Sequence, residues 1–321
     1  FGGVKVIEGS MTIGTLSAFM SYLLMLIWPM IAFGWVLNLL QQGAASMKRL
    51  AAIIDTVPEI RDTDTTDQSI KTIEGDIEFR DMTFTHKSAQ QPTLRRINLK
   101  IEKGMTVAVV GYTGTGKSTL VNLVPRLYDV TDGQLLIDGH DVRTIPLAVL
   151  RSNIGYVPQE TFLFSETIAE NIRYGVDGDG TDISQPAHIS QISKDVHEFP
   201  KQFETMIGER GITLSGGQKQ RTSIARAIMR EPSILILDDA LSSVDTYTEE
   251  EILSRLKQFM AGRTSIIISH RISTVKDADL IVVLDKGEIV ERGTHDELVS
   301  LGGIYADLHT KQLLEKELEE M

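Results

Sequence analysis

Residues 111–118 read Gly-Tyr-Thr-Gly-Thr-Gly-Lys-Ser. This spacing fits G-x-x-x-x-G-K-[ST], a loop that curls its backbone so that N–H groups point inward at phosphate oxygens. The flanks supply what such a loop requires. Thr106–Val110 (TVAVV) is a continuous apolar run, as expected of a parallel strand buried on both faces. Residues 118–127 read as a helix whose N-terminal partial charge would add to the attraction for phosphate. Gly111, Gly114 and Gly116 free the backbone to curl, and Tyr112, Thr113, Thr115 and Thr119 complete the candidate nucleotide-binding set. Lys117 would reach the β- and γ-phosphates, and Ser118 would ligate Mg2+. The plainer alternative is a glycine-rich turn with an exposed lysine.

Working outward, 76–85 alternates like a strand, and so does 97–101 before the turn Glu102-Lys103-Gly104. Residues 134–137 precede Asp138-Gly139 and form another candidate strand and turn. Residues 233–237 (SILIL) and 265–268 (SIII) read as further buried strands. Residues 280–284 and 288–291 flank Asp285-Lys286-Gly287 as a closing hairpin, and 162–230 is mostly polar with helical spacing. The pattern predicts a parallel α/β core with an antiparallel β edge and a helical insertion. The run 235–239 ends its apolar strand on Asp238 and Asp239. One carboxylate there would anchor Mg2+; helix-capping acids at a strand-to-helix loop are the alternative. The tail 311–320 reads as a charged helix.

The N-terminal part differs in kind. No charged residue occurs between Glu8 and Lys48, and 13–40 reads IGTLSAFMSYLLMLIWPMIAFGWVLNLL. A membrane span needs roughly 20 mostly apolar residues, so this run is long enough. A buried helix of a soluble protein would carry a polar face, and a signal peptide a basic start and a shorter apolar core. Pro29 could kink the helix. Lys48 and Arg49 follow the run, which predicts a cytoplasmic C-terminal side. Residues 41–57 continue the helix, Pro58 is expected to end it, and 58–74 reads as an acidic, Thr-rich linker. Phe1 in place of a start methionine suggests a fragment of a longer protein.

Composition bounds the rest. The chain has 321 residues, 24% charged and 42% hydrophobic, with a formal net charge of -12 and no cysteine. Disordered and collagenous classes are excluded, as are thiol catalysis and disulfide frameworks. Net acidity argues against a dedicated nucleic-acid binder.

Leu214-Ser215-Gly216-Gly217-Gln218 lies between the phosphate loop and the Asp238 strand. With those two motifs it resembles the signature of the ABC ATPases. Gln159 in GYVPQETFLF resembles the family's Q-loop, Ser243-Val244-Asp245 its D-loop, and His270 in IIISHR its switch histidine. Glu209-Arg210-Gly211 is similar to the loop with which exporters sense the transmembrane domain. The resemblance runs from Gly75 to about His309, and the preceding helix looks like the last membrane helix of a multidrug-type exporter half-transporter. It implies a P-loop NTPase fold, with a RecA-like parallel core, an antiparallel β subdomain and a helical signature subdomain, preceded by a transmembrane helix. The implied division is 1–57 for the end of the transmembrane domain, 58–74 for the linker and 75–321 for the nucleotide-binding domain, cytoplasmic at the cell membrane.

The resemblance also implies a mechanism. Two such domains would face head to tail, with ATP between the phosphate loop of one and Ser215, Gly216, Gly217 and Gln218 of the other. Ser118, Gln159 and Asp238 would organise Mg2+, and His270 would contact the γ-phosphate. The implied partners are a second half-transporter, membrane lipid and a small-molecule export substrate, with no nucleic acid.

Two positions depart from the family pattern. His86 stands where exporters carry an aromatic that stacks on adenine; imidazole offers less area, and an exposed loop histidine is the alternative. Asp239 stands where the family's general base is glutamate. Its side chain is one carbon–carbon bond shorter, about 1.5 Å, and a misplacement near 1 Å can cost about a hundredfold. The expectation is slow hydrolysis at this chain's own site, within a heterodimer whose partner supplies the glutamate of the second site. A homodimer that tolerates aspartate, a soluble ABC ATPase and a non-hydrolysing regulatory subunit remain as alternatives. The EF-hand-like run 177–182 lacks the glycine at loop position 6, and Thr246 to Glu249 could form a capping box.

Overall fold

A computed structural model of the chain describes residues 1–176, 178, 180–208 and 212–319. The segment 209–211, assigned above to transmembrane sensing, lies outside the described residues, as do 177 and 179. The chain divides into two compact units, Phe1–Glu59 and Ile60–Met321.

The first unit is helical. A short helix α1 (Gly2–Ile7) precedes α2 (Ile13–Ile54), whose Thr12 cap accepts a hydrogen bond from the Thr15 amide at 3.1 Å. The helix runs unbroken for 42 residues with Pro29 inside it, and stops at Asp55, before Pro58. None of its residues is buried, and leucines, methionines and both tryptophans stand exposed all round it. That is the surface of a helix made to be covered by lipid or by other apolar helices.

The second unit begins at Ile60, earlier than the Gly75 read from the sequence. Residues 60–74 hold no regular element, but they are tied down. Asp62 accepts from the Leu147 amide at 2.9 Å, the Asp67 amide donates to the Thr144 carbonyl at 2.7 Å, and Ile73 is buried. The unit's elements follow in order: β1 (Ile77–Phe84), β2 (Leu94–Ile101), β3 (Thr106–Val110), α3 (Lys117–Leu123), β4 (Asp132–Ile137), β5 (His140–Asp141), α4 (Leu147–Ser152) and β6 (Ile154–Val157). Next come α5 (Ile168–Arg173), α6 (Ser184–Ile189), α7 (Ile192–Val196), a 3-10 turn (Gln202–Glu204) and α8 (Gly216–Met229). The chain closes with β7 (Ile234–Asp238), α9 (Thr246–Met260), β8 (Thr264–Ile268), α10 (Ile272–Val275), β9 (Leu280–Asp285), β10 (Glu288–Gly293), α11 (His295–Leu301) and α12 (Ile304–Glu319).

Two sheets form. The larger has the order β10-β9-β3-β8-β7-β6, parallel throughout except for the antiparallel β9–β10 hairpin; the smaller, β2-β1-β4-β5, is antiparallel. The unbroken apolar runs have a reason in this layering. Val107 and Val109 face one hydrophobic cluster, shared with the antiparallel sheet, while Ala108 and Val110 face a second cluster with α8 and α9. Ile234/Ile236 and Leu235/Leu237 divide in the same way, so period-2 alternation is masked because both faces are apolar. A third cluster, including Ile168, Ile172, Val196 and Ala225, belongs to the helical insertion. P-loop NTPase architecture follows: a parallel core, an antiparallel β layer and a helical insertion.

Candidate functional site

The ends of β3 and β7 and the start of α3 converge on a recess of ≈ 220 Å³. The structure brings Thr113, Gly114, Gly116, Lys117, Ser118, Thr119, Gln159, Asp238, Asp239 and His270 to its walls. These residues are up to 157 positions apart (270 - 113) and were grouped from motifs alone. Thr93 and Ile268 also line the recess; neither carries a local signal that sequence reading could have used.

The loop's geometry explains its composition. Gly111 has φ 146°, and a Cβ there would run into the Leu284 carbonyl oxygen, because the loop crosses the end of β9 at backbone contact distance. Gly116 has φ 100° and caps α3; a Cβ there would stand 2.9 Å from Leu94 Cδ2 and 3.3 Å from the Thr93 carbonyl. Only glycine fits such positions.

Lys117 is buried, and its ammonium donates to the Gly111 and Tyr112 carbonyls at 2.9 Å each. Burial pushes it below the usual lysine value, against the pull of Asp239 and Asp238. Ser118 donates its hydroxyl to Asp238 Oδ1 at 3.2 Å. Asp238 is buried at the last position of β7, and burial raises its carboxyl above the ordinary aspartate value; the Ser118 hydrogen bond opposes this and the Asp239 charge adds to it. The same burial, with the Asp238 charge behind it, raises the neighbouring Tyr156 phenol, which donates to Asn122 Oδ1 at 2.8 Å.

These oxygens fit a hard divalent cation: a serine hydroxyl and a buried carboxylate, with a second carboxylate close enough to disfavour ionisation without one. Among the described residues, no group of three or more His, Asp or Glu side chains could hold a metal ion by itself. A cation here would therefore take part of its shell from water or from oxygens of a bound ligand.

Asp239 follows in a left-handed turn, φ 50°, with its amide donating to the Ile268 carbonyl at 2.9 Å. Aspartate tolerates that conformation better than most residues. His270 is exposed at the rim, after the buried strand β8.

His86 does not line the recess. It sits edge-on to Phe84 (centroids 4.7 Å) and to Tyr128 (5.3 Å), in an aromatic cluster whose Tyr128 ring is partly exposed. Tyr128 was not singled out from the sequence.

Ser215 to Gln218 stand apart from the recess, at the start of α8. Ser215 accepts from the Gln218 amide at 3.2 Å, while Gln218 Oε1 accepts from the Ser215 amide at 2.9 Å, a reciprocal capping box. Gln218 Nε2 also donates to Asp195 at 3.1 Å, and Arg221 pairs with the same carboxylate at 2.5 Å. Four residues into α8, the buried Gln220 donates to Ser242 Oγ at 2.9 Å and to the Asp239 carbonyl at 3.4 Å. It also accepts from the Ser243 amide at 2.9 Å.

The capping box expected at Thr246 to Glu249 is not formed. Asp245 caps α9 instead, accepting from the Thr248 amide at 2.9 Å. Glu249 is buried, paired with Arg271 and receiving the Thr274 hydroxyl at 2.7 Å.

Comparison with known proteins adds a family. Residues 94–242 match the model described as "ABC transporter". The chain is 46% identical over 321 residues to an ATP-dependent lipid A-core flippase of Syntrophus aciditrophicus, covering all of this chain and 53% of that protein. It is 42% identical over 315 residues to a probable multidrug resistance ABC transporter ATP-binding/permease protein of Bacillus subtilis, covering 98% of this chain and 54% of that one. Among solved structures, a bacterial Atm1-family ABC exporter with ATP bound superposes with TM-score 0.81 at 36% identity, over 95% of this chain and 53% of the other. The chain thus spans about half the length of the relatives it matches.

Proposed function

Residues 94–242 are a domain of the ABC transporter family, and from that premise we propose that this chain is the ATP-hydrolysing part of a membrane exporter half-transporter, with a weakened base at its own ATP site. The observation that carries the reading is the convergence of Lys117, Ser118, Asp238, Asp239, Gln159 and His270 on one recess. The uncharged 13–40 run of α2, with apolar side chains exposed all round it, supports a membrane-embedded protein over a soluble ATPase.

In this reading Lys117 and the loop amides hold the triphosphate. Ser118 and Asp238, with Gln159 at the same wall, would hold Mg2+, which would neutralise charge on the β- and γ-phosphate oxygens. Asp239 would take the proton of the attacking water, and His270 would steady the γ-phosphate as its bond to the bridging oxygen breaks. Ser215, Gly216, Gly217 and Gln218 stand apart from this chain's own recess. That is what a head-to-tail pair would require, each α8 N-terminus serving the nucleotide of the other subunit.

His86 would meet the adenine, presented by Phe84 and Tyr128. The cargo proposed is a small-molecule export substrate; one relative is named for lipid A-core flipping and another for multidrug resistance. The nucleotide-binding unit would lie on the cytoplasmic face of the cell membrane.

A heterodimer is favoured because an intact Leu214–Gln218 signature accompanies a shortened base at Asp239. ATP hydrolysis by the full-length protein alone, with a glutamate-bearing partner, and as Asp239→Glu tests this. The lengthened base is expected to raise turnover at this site by about a hundredfold. A full family-like rate from the unmodified chain alone would remove both the weak-base and the heterodimer readings.

A further inference from the structure

The last helix of the chain reaches back to the recess. Its start is fixed: the Ile304 and Tyr305 amides donate to the Glu291 carboxylate at 2.6 and 3.1 Å. Tyr305 is wholly buried, its hydroxyl 2.7 Å from His295 Nδ1. Two turns further on, Gln312 Oε1 accepts from the Ile272 amide at 2.8 Å, and Gln312 Nε2 donates to the His270 carbonyl. One residue earlier, the Lys311 ammonium lies 5.5 Å from the centroid of Tyr112, in the phosphate loop.

These contacts answer a local deficiency. Helix α10 is four residues long, and its N-cap, Arg271, makes no side-chain cap bond. The Ile272 amide is thus one of the donors that a helix start leaves unpaired. Gln312 supplies the missing acceptor from forty residues away and uses its other end on the carbonyl just before Arg271. One planar amide therefore holds the peptide units on both sides of Arg271. From the other side, Ser269 Oγ accepts from the Arg271 amide at 3.0 Å. The His270 Cα is attached directly to one of the held peptide units, so the direction in which its side chain leaves the backbone follows from them.

We infer that Gln312 is a positioning residue that aims His270 into the recess, making α12 a strap across the phosphate site. The inference rests on the proposed role of His270 at the γ-phosphate. Freed of both bonds, the loop would still carry His270 but would no longer fix it. A loosened contact costs less than a lost one, so turnover falls about tenfold, which is about 1.4 kcal/mol of barrier.

The test is ATP hydrolysis by the full-length protein with its partner in lipid vesicles, on an Asp239→Glu background and with the partner's own catalytic glutamate replaced by glutamine, so that this site carries the rate. Gln312→Ala is expected to lower kcat about tenfold and leave KM for ATP within about twofold, because the other phosphate ligands are untouched. Gln312→Glu keeps the reach and the acceptor for Ile272 but loses the donor, and falls about threefold. Leu313→Ala, exposed on the same helix, matches the parent. Combined with His270→Ala, Gln312→Ala adds no further loss.

An unchanged kcat in Gln312→Ala overturns the inference, as does a further slowing of His270→Ala or an equal loss in Leu313→Ala. Should Gln312→Ala fail to fold, the Gln312→Glu rate decides by the same comparison. A full rate in His270→Ala alone would sink the reading of His270 and the inference with it, and that result is separate from any Gln312 variant.

Discussion

Arg271→Met isolates a buried electrostatic contact behind the recess. The Glu249 side chain is 2% exposed, and its neutralising partner Arg271 is 40% exposed. Arg271 also donates to the Val244 carbonyl at 3.3 Å, and Thr274 gives Glu249 one hydroxyl at 2.7 Å. Methionine keeps much of the stem volume but strands the carboxylate with that hydroxyl alone. Removing one member of a fully buried pair costs about 3–5 kcal/mol. Water reaches the arginine side of this pair, so the loss is discounted to about 2 kcal/mol. For a unit of this size that is a drop of about 5 °C in the midpoint of unfolding.

The readout must see the right unit. Both tryptophans, Trp28 and Trp35, lie in α2, so tryptophan fluorescence is blind to this change. Calorimetry, or circular dichroism at a helix wavelength, reports it. Adding Glu249→Gln to Arg271→Met removes the stranded charge, keeps an acceptor for Thr274, and should recover about half of the loss. A single variant that melts within about 1 °C of the parent, or a second substitution that deepens the loss, would refute the assignment of stability to this pair.

Three further outcomes are expected. Gly116→Ala forces a Cβ into a left-handed position 2.9 Å from Leu94 Cδ2, and should cost about 2 kcal/mol of stability and at least about tenfold in ATP affinity by equilibrium dialysis. Asp141 is held below its usual value of 3.8 chiefly by its hydrogen bonds to Arg143. A depressed folded value means the contribution is complete above the unfolded value and is lost as pH falls through the folded one. Asp141→Asn should therefore melt lower than the parent at neutral pH and converge with it only in strong acid, as followed by calorimetry across pH. His86→Tyr enlarges the stacking face offered by the cluster with Phe84 and Tyr128, and should tighten ATP binding about two- to fivefold; unchanged affinity would place the base elsewhere.

Much of this molecule could be read from local order, and the limits of that reading are physical. The phosphate loop is contiguous and its glycines answer to backbone conformation, so spacing alone located it. The strands TVAVV and SILIL were visible because burial on both faces removes polar residues. Strand β6, four residues with Gly155 among them, gave no comparable signal: a neighbouring strand, β7, defines it rather than its own pattern. Helix α9 shows the same limit at single-residue scale, since Asp245, not Thr246, took the cap and Glu249 was drawn inside to meet Arg271. Tyr128, Gln220 and Gln312 act through partners 19 or more residues away, and no short window on the sequence contains both members.

Gln220 has a consequence for how two nucleotides would be handled together. One end of α8 faces outward toward the neighbouring subunit in the proposed pair, while this buried amide fastens the same helix to the Asp239 carbonyl, the Ser242 hydroxyl and the Ser243 amide. A tilt of α8 as it meets the far triphosphate would thus be passed, through a single side chain, to the residues flanking the near water. Firing at one station would then be felt at the other without either nucleotide leaving its seat.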